Sequence, residues 1–394
     1  MKKKIAILGS TGSIGKILLN IIKKNKKNFD IILLTANKDH KTLYTQAKKY
    51  RVKNLIITNE LSYKILKKKC KKTNINVYDN YNSFKKVFKK KADYTMNSIV
   101  GFAGLKPTLE IIKFTKQIAI ANKESIICGW NLIKKKSILN KTKIIPIDSE
   151  HFSIWSSLNE LRLNISTDLN NSIQNLSITA SGGPFRDTPL KNFKKITVNQ
   201  AIKHPTWKMG KKISIDSATL VNKLFEVIEA QRLFNIDINK ISIKIHPQSY
   251  VHSIIELKNG LIKICAHEPD MSIPISNSLD KNLHYLSKNK TNFKILNNLN
   301  FTDIDKRKFP VIKILKKYPN HCSLFDTALV ACNDELVNLF LNEKISFNDI
   351  FSNLISILNT RSIKKLKNIM PKNYKEISEI NDFVRLKTKK LSIC

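Results

Sequence analysis

Acidic side chains are scarce in this chain. Its 394 residues hold 30 Asp and Glu against 70 Lys and Arg, a formal charge of +40. The shortage makes any pair of neighbouring carboxylates a question in itself. Cysteines are few as well: Cys70, Cys128, Cys265, Cys322, Cys332 and Cys394. None lies in a C-x-x-C pair and no Cys/His cluster has zinc spacing, which excludes a thiolate metal module. Free thiols in a reducing cytoplasm are the expectation. No run approaches the roughly 18 apolar residues of a membrane span. The charged prefix MKKK precedes only five apolar residues, IAIL and the start of a glycine turn, and reads as a first strand rather than a targeting segment. Trp and Tyr do not interleave with the lysines as a base-stacking surface requires. Lys, Asn and Ile recur from end to end, as expected of an A+T-rich coding sequence, so no basic arm stands out. The composition gives no reason to expect a specific nucleic-acid partner, although charge alone favours weak attraction to RNA at low salt.

Against these absences, 42% of the residues are apolar, which suits a folded chain of two or three domains. Residues 4–9 form an apolar strand. Gly9-Ser10-Thr11-Gly12-Ser13-Ile14-Gly15 follows, then KILLNIIKKN with apolar residues at helical spacing, then a second apolar run at 29–36. Strand, glycine turn, helix and strand make a βαβ unit. Further strands are expected within 53–59, 75–79, 92–101, 117–125 and 143–150. Residues 1–150 therefore read as an open, mostly parallel sheet with helices on both faces. Residues 151–277 read as an α+β domain with strands at 175–180, 241–246, 251–257 and 261–266 and one clear helix at about 219–234. Residues 278–310, rich in Asn and Lys, read as a linker, and 311–394 as a small helical domain.

The glycine spacing after a strand and before a helix allows a tight turn and close approach of backbone N–H groups to a phosphate. Ser10, Thr11 and Ser13 add hydroxyls. An ordinary β–α turn of small residues is the plainer reading, but the context favours a dinucleotide. At the tip of the second strand, Lys38 argues for the 2′-phosphate of NADP, whereas Asp39 argues for a ribose hydroxyl of NAD.

The stretch IDSEHF at 147–152 holds the adjacent acids Asp148 and Glu150. On a strand over 143–150 the two would share a face at the carboxyl end of a parallel sheet, where α/β folds bind ligands. Two carboxylates at one point call for a proton or a cation, and Mg²⁺ or Mn²⁺ takes such oxygen ligands. Glu226 is a third candidate, one helical turn from Asn222. A helix cap at Asp148 and a lysine partner for Glu150 explain these two residues equally well. Asn122-Lys123-Glu124-Ser125 stands at another strand end, and Ser181-Gly182-Gly183 offers N–H groups to an anion. Ser217, Asn222 and Lys223 suit a phosphate or polyol. His204 and Trp207 flank a proline before Gly210, in a loop that otherwise reads as surface or core. His246 and His252 read as structural.

Taken together, GSTGSIG, ANKES, DSEH, SGGPF, HPTWKMGKKISIDSAT, NKLFE, IHPQSYVHS and EPDM resemble the 1-deoxy-D-xylulose 5-phosphate reductoisomerase family. Order and spacing agree from residue 4 to about 340; the tail carries no motif. The resemblance implies a cytoplasmic homodimer with an N-terminal Rossmann-like NADP-binding domain, a central α+β catalytic and dimerisation domain and a C-terminal helical domain. It implies NADPH-dependent and divalent-metal-dependent (Mg²⁺ or Mn²⁺) conversion of 1-deoxy-D-xylulose 5-phosphate to 2-C-methyl-D-erythritol 4-phosphate in the non-mevalonate isoprenoid pathway. Rearrangement by retro-aldol and aldol steps would precede reduction of an aldehyde. Carried over, the metal ligands fall on Asp148, Glu150 and Glu226. Substrate contacts fall on Lys123, Ser149, Glu150, Ser181, His204, Ser217, Asn222, Lys223 and Glu226, with Lys123 beside the metal and Ser181, Ser217, Asn222 and Lys223 around the phosphate. NADPH contacts fall on Thr11, Gly12, Ser13, Ile14, Asn37, Lys38, Asp39, Asn122, Glu124 and Gly210. A lid over about 200–212 would close with Trp207 on the substrate.

The chain departs from the family pattern at a few places. Asn37 and Asp39 stand where Gly and Asn are usual, Leu224-Phe225 where Gly-Leu is, His267 for Gly and Ser272 for Arg. Altered kinetics or stability is expected from these rather than loss of activity. A different NADP dehydrogenase on the same fold, such as one acting on a semialdehyde, would survive metal chelation. A basic nucleic-acid-binding protein on a borrowed enzyme fold would hold its ligand above about 0.2 M salt.

Overall fold

The structure, a computed structural model, describes residues 1–161, 169–207, 209–280, 283 and 292–392. Lys208 of the expected lid, most of 281–291 in the expected linker, and Cys394 lie outside them. The chain divides into two compact units. One comprises Met1–Ser125, Leu132–Phe152 and Asp270–Asn289, the other Ile126–Asn131, Ser153–Pro269 and Lys290–Cys394.

The first unit is built on seven strands: β1 (Lys3–Leu8), β2 (Phe29–Ala36), β3 (Asn54–Ile57), β4 (Asn76–Tyr78), β5 (Tyr94–Asn97), β6 (Gln117–Ile120) and β7 (Lys143–Pro146). They pair in parallel in the order β4-β3-β2-β1-β5-β6-β7. β1 lies at the switch point, where the chain winds first one way and then the other. Ile5, Ala6, Ile7 and Leu8 are fully buried, as the unbroken apolar run requires for a strand covered on both faces. Four helices matter to the site: α1 (Ser13–Lys24), α2 (His40–Tyr50), α3 (Lys123–Leu139) and α4 (Ser149–Glu160). α1 sets Leu18, Leu19, Ile21 and Ile22 inward and ends in Lys23 and Lys24, which suit the negative end of its dipole.

The second unit contains β8 (Ile173–Ala180), β9 (Ile241–Ile245), β10 (Val251–Leu257), β11 (Ile262–Ala266) and β12 (Thr302–Asp303) in the order β11-β10-β8-β9-β12. Only β8 and β9 pair in parallel; the other neighbours are antiparallel. The helix expected over 219–234 is α6 (Val221–Phe234); a shorter helix that was not expected, α5 (Lys211–Ala218), precedes it, and Leu220 between the two has φ 58°. Ser217 therefore ends one helix while Asn222 and Lys223 begin the next. The segment expected as a linker contributes β12, whose Thr302 and Asp303 pair with Ile245 and Lys244. Towards the end of the chain lie α7 (Leu324–Leu341), α8 (Phe347–Leu358) and α9 (Tyr374–Ser392). No described helix is long and apolar enough to cross a membrane.

Candidate active site

The glycine turn is shaped by close approaches. Gly9 has φ +81°, and a Cβ there would stand 2.9 Å from Ser98 O. At Gly15 a Cβ would meet Gly9 O at 2.6 Å, so α1 rests directly on the turn that precedes it. Gly12 N-caps α1 without a side-chain cap, and a Cβ there would make only an ordinary contact. The first N–H groups of a helix have no partner within it, so Ser13, Ile14 and Gly15 present donors where the dipole favours an anion. Thr11, Ser13 and Ile14 flank this point. Ser10 does not join them: its hydroxyl is buried, donating to Gln46 Oε1 at 2.8 Å.

At the tip of β2, Asn37, Lys38 and Asp39 are exposed. Asp39 caps α2, accepting from Thr42 N at 3.0 Å, and Thr42's hydroxyl and N–H hold its carboxyl below the usual range. Asn37 donates to the Thr58 hydroxyl at 2.8 Å. The one exposed cation in this trio is Lys38. Asn122 caps α3 through Ser125 N (2.6 Å) and donates to Gly101 O (2.7 Å), so its side chain braces the loop after β5. Glu124 follows it, buried in the first turn of α3.

The acid pair is not arranged as a pleated strand would have it. β7 ends at Pro146, and Asp148 O already accepts Phe152 N (2.8 Å), beginning α4 at Ser149. Asp148 and Glu150 thus flank a strand-to-helix turn. β6 and β7 are neighbours, so the residues after each come together. Lys123 Nζ lies 2.8 Å from Asp148 Oδ2, and both side chains are largely buried. The Ser149 hydroxyl donates to Glu150 Oε2 at 2.6 Å. His151, absent from the expected set, is fully buried with Nδ1 3.3 Å from Asp148 Oδ1. Its signal in the sequence was its place at the end of DSEH.

In the second unit the functional candidates lie on turns and first helical turns. Glu226, with 1% of its side chain exposed, accepts from Asn222 and Lys223 one turn earlier on α6. Gly183 has φ +69° and packs against Ser217 O, where a Cβ would stand at 2.9 Å. Trp207 N and Thr206 N donate to His204 Nδ1 at 2.9 and 3.2 Å. A backbone N–H can only donate, so the neutral ring carries its proton on Nε2. That proton points at Ser181 Oγ, 3.1 Å away, which also accepts from Gly183 N at 3.2 Å. Ser181 is left with its own O–H as a donor. Burial, then the charge of Lys223, lowers the His204 pKa from 6.5 to about 4, so the imidazole stays neutral. Trp207 meets the edge of His252 at 6.4 Å, and His252 stacks on His267 at 3.8 Å. His267 thus has a packing partner where a glycine would have none. Gly210 N-caps α5. Arg186 was not foreseen; it donates to Ser181 O at 3.0 Å and covers Gly182. The run SGGPFR carried it, but nothing in its spacing marked it.

A parallel sheet with a glycine turn at its switch point and an uncapped helix start defines a dinucleotide-binding α/β protein. Three family models bear on which one. The 1-deoxy-D-xylulose 5-phosphate reductoisomerase model matches residues 5–129, its C-terminal domain model matches 144–234, and the DXP reductoisomerase C-terminal domain model matches 267–387. The 1-deoxy-D-xylulose 5-phosphate reductoisomerase of Pelagibacter ubique is 52% identical over 394 residues, covering 99% of this chain and 100% of its own. That of a Wolbachia from Drosophila simulans is 36% identical over 98% of this chain and 95% of its own. Among solved structures, the Zymomonas mobilis reductoisomerase in complex with NADPH has TM-score 0.87 and 31% identity over 100% of this chain and 99% of its own. A reductoisomerase in complex with NADPH, fosmidomycin and magnesium has TM-score 0.87 and 30% identity, covering 99% and 97%. The chain belongs to the 1-deoxy-D-xylulose 5-phosphate reductoisomerase family.

Proposed function

We propose that the chain performs its family's reaction, the NADPH-dependent and divalent-metal-dependent rearrangement and reduction of 1-deoxy-D-xylulose 5-phosphate to 2-C-methyl-D-erythritol 4-phosphate, using the residues placed above. The observation that carries the activity is the 52% identity to a reductoisomerase across the whole length. The residue roles rest on the site chemistry.

The donor set suits a hard cation. Asp148, Glu150 and Glu226 offer carboxylate oxygens, the ligands Mg²⁺ and Mn²⁺ prefer. Two of these acids have an ammonium group against them, Lys123 on Asp148 and Lys223 on Glu226, the partner that a buried carboxylate calls for. In this reading a divalent cation would supply Lewis acidity to the carbonyl and hydroxyl oxygens of a ketose phosphate. NADPH supplies hydride, and the uncapped N-terminus of α1 with Thr11, Gly12, Ser13 and Ile14 suits its pyrophosphate. Lys38 answers the 2′-phosphate, with Asn37, Asp39, Asn122, Glu124 and Gly210 completing the cofactor's surroundings.

The chain's own residues then do the positioning. Lys123 offsets negative charge developing on the substrate oxygens next to Asp148. Ser149 orients Glu150. The Ser181 hydroxyl, freed as a donor by His204 and Gly183, joins Ser217, Asn222 and Lys223 around the phosphate. Neutral His204 holds Ser181 and the Thr206–Trp207 backbone without adding charge. The segment about 200–212 closes over the substrate and excludes water. In this reading residues 1–150 bind NADPH, 151–277 carry catalysis and the subunit interface, 278–310 link, and 311–394 form the helical domain of a cytoplasmic homodimer. The dimer and the compartment rest on family resemblance.

The test is NADPH oxidation, read as loss of its near-ultraviolet absorbance with 1-deoxy-D-xylulose 5-phosphate, in Mg²⁺, in Mn²⁺ and in EDTA. Oxidation that needs the metal and stops in EDTA is the expected result. Oxidation indifferent to chelation, or none with either metal in folded protein, overturns the reading.

A further inference from the structure

The departure at Phe225 leads to a residue outside the expected site. Phe225 is fully buried on α6, and its ring faces Lys212 Nζ at 5.2 Å. Lys212 stands in the first turn of α5, two residues after Gly210. Its ammonium lies 2.7 Å from Asp216 on the same helix and 3.1 Å from Asp334 on α7. Asn333, the residue before Asp334, donates to Asp216 Oδ1 at 2.8 Å. Asp334 is held in turn by Arg385 of α9 at 2.7 Å. One partly buried ammonium thus meets α5 through Asp216, α6 through the Phe225 ring and α7 through Asp334. Those contacts bracket the Leu220 turn, on whose two sides Ser217 and the pair Asn222–Lys223 stand.

Such an arrangement has physical consequences. A buried carboxylate without its cation is strongly unfavourable, so Asp216, 2% exposed, holds Lys212 on its own helix while its other oxygen accepts from Asn333 of α7 and ties α5 to that helix. A cation over an aromatic face adds a second, directional restraint. The two helices are joined by Thr219 and the left-handed Leu220, with no glycine, and their relative placement is set by what packs on them. We propose that Lys212 is a positioning residue: by locking α5 and α6 onto α7, it fixes the distance between Ser217 and Asn222–Lys223 and so the fit of the phosphate between them. The proposal rests on assigning those three residues to the phosphate.

The variants are Lys212→Met, which keeps the stem and removes the charge, Lys212→Arg, which restores it, and Asp334→Asn. Ser217→Ala is the direct control. Each full-length protein is titrated with inorganic phosphate by calorimetry, then assayed for KM, kcat and NADPH affinity. Lys212→Met and Asp334→Asn are expected to raise the phosphate Kd and the substrate KM together, by about threefold to tenfold, with kcat and NADPH affinity held. Lys212→Arg recovers most of the loss. Wild-type phosphate affinity in folded Lys212→Met, while Ser217→Ala weakens it, overturns the positioning role. If Lys212→Met does not fold, Asp334→Asn decides by the same criterion. Wild-type phosphate affinity in Ser217→Ala overturns the phosphate assignment itself, a failure distinct from that of Lys212.

Discussion

The two units treat polar groups near their sites in opposite ways. Around the glycine turn of the first unit, side chains are consumed by the protein: Ser10 by Gln46, Asp39 by Thr42, Asn122 by Ser125. What remains at the start of α1 is backbone, exposed at the bare Gly12 and shaped by Gly9 and Gly15, which let the turn and the helix approach each other. In the second unit polar and charged side chains are gathered at the candidate site instead. Ser181 keeps its hydroxyl proton, and Glu226 gathers Asn222 and Lys223 on one helical turn. Recognition by backbone depends on atoms that are missing, so it tolerates side-chain truncation and not side-chain addition. Recognition by buried charge depends on atoms that are present, and reverses both tolerances.

The sharpest break in that contrast comes from Glu226→Gln. The change keeps shape and removes charge, leaving Lys223 buried beside a neutral amide. Turnover is expected to fall on the order of a thousandfold, as when a preorganised electrostatic group is lost, while NADPH affinity holds. Steady-state kinetics with NADPH titration by fluorescence checks it, and wild-type-like turnover removes Glu226 from the metal set. The next largest effect belongs to the first unit. Gly15→Ala places a Cβ 2.6 Å from Gly9 O, so α1 must shift off the turn. NADPH affinity is expected to drop on the order of a hundredfold, since displacement of the binding groups by about an ångström has that scale. Ser13→Ala beside it removes one hydroxyl and costs about threefold. Equal losses in the two variants would end the distinction between backbone and side-chain recognition.

The same distinction governs how much could be read from residues in order. The parallel sheet was legible because fully buried strands are short unbroken apolar runs, and the glycine turn because its spacing sits between a strand and a helix. The acids at 148 and 150 were found for a reason the structure corrects. Strand alternation predicts a shared face, whereas the chain turns into α4 at Ser149, and the plainer helix-start reading of Asp148 describes the backbone. The helix over 219–234 was legible and is α6, whereas the short α5 before it was not, because at Leu220, where the backbone turns with φ 58°, neither Gly nor Pro marks a boundary. β12 was hidden in an Asn-rich stretch because a two-residue strand has no period. Least legible was the tail. Asn333 meets Asp216 and Asp334 meets Lys212 across more than a hundred residues of chain, Arg385 meets Asp334 in turn, and contacts at that range leave no local pattern.

The smallest effect is also the most specific to the second unit. His204 titrates at about 4 rather than 6.5, first because it is buried and second because Lys223 is near. The sign follows from which state binds the proton. Between those two values the unfolded chain protonates His204 and the folded chain does not, so this residue withdraws stability as pH falls from 6.5 towards 4 and contributes nothing above 6.5. Catalysis should therefore show no inflection from His204 across the neutral range. Lys223→Met removes the smaller of the two causes and leaves burial in place. The His204 ring, followed by NMR, is expected to titrate higher than in the wild type yet still below 6.5. An unmoved midpoint would mean that the Lys223 charge is not felt at the ring. A midpoint at 6.5 would mean that burial is not the larger cause, and that the pocket around Ser181 is wetter than its hydrogen bonds imply.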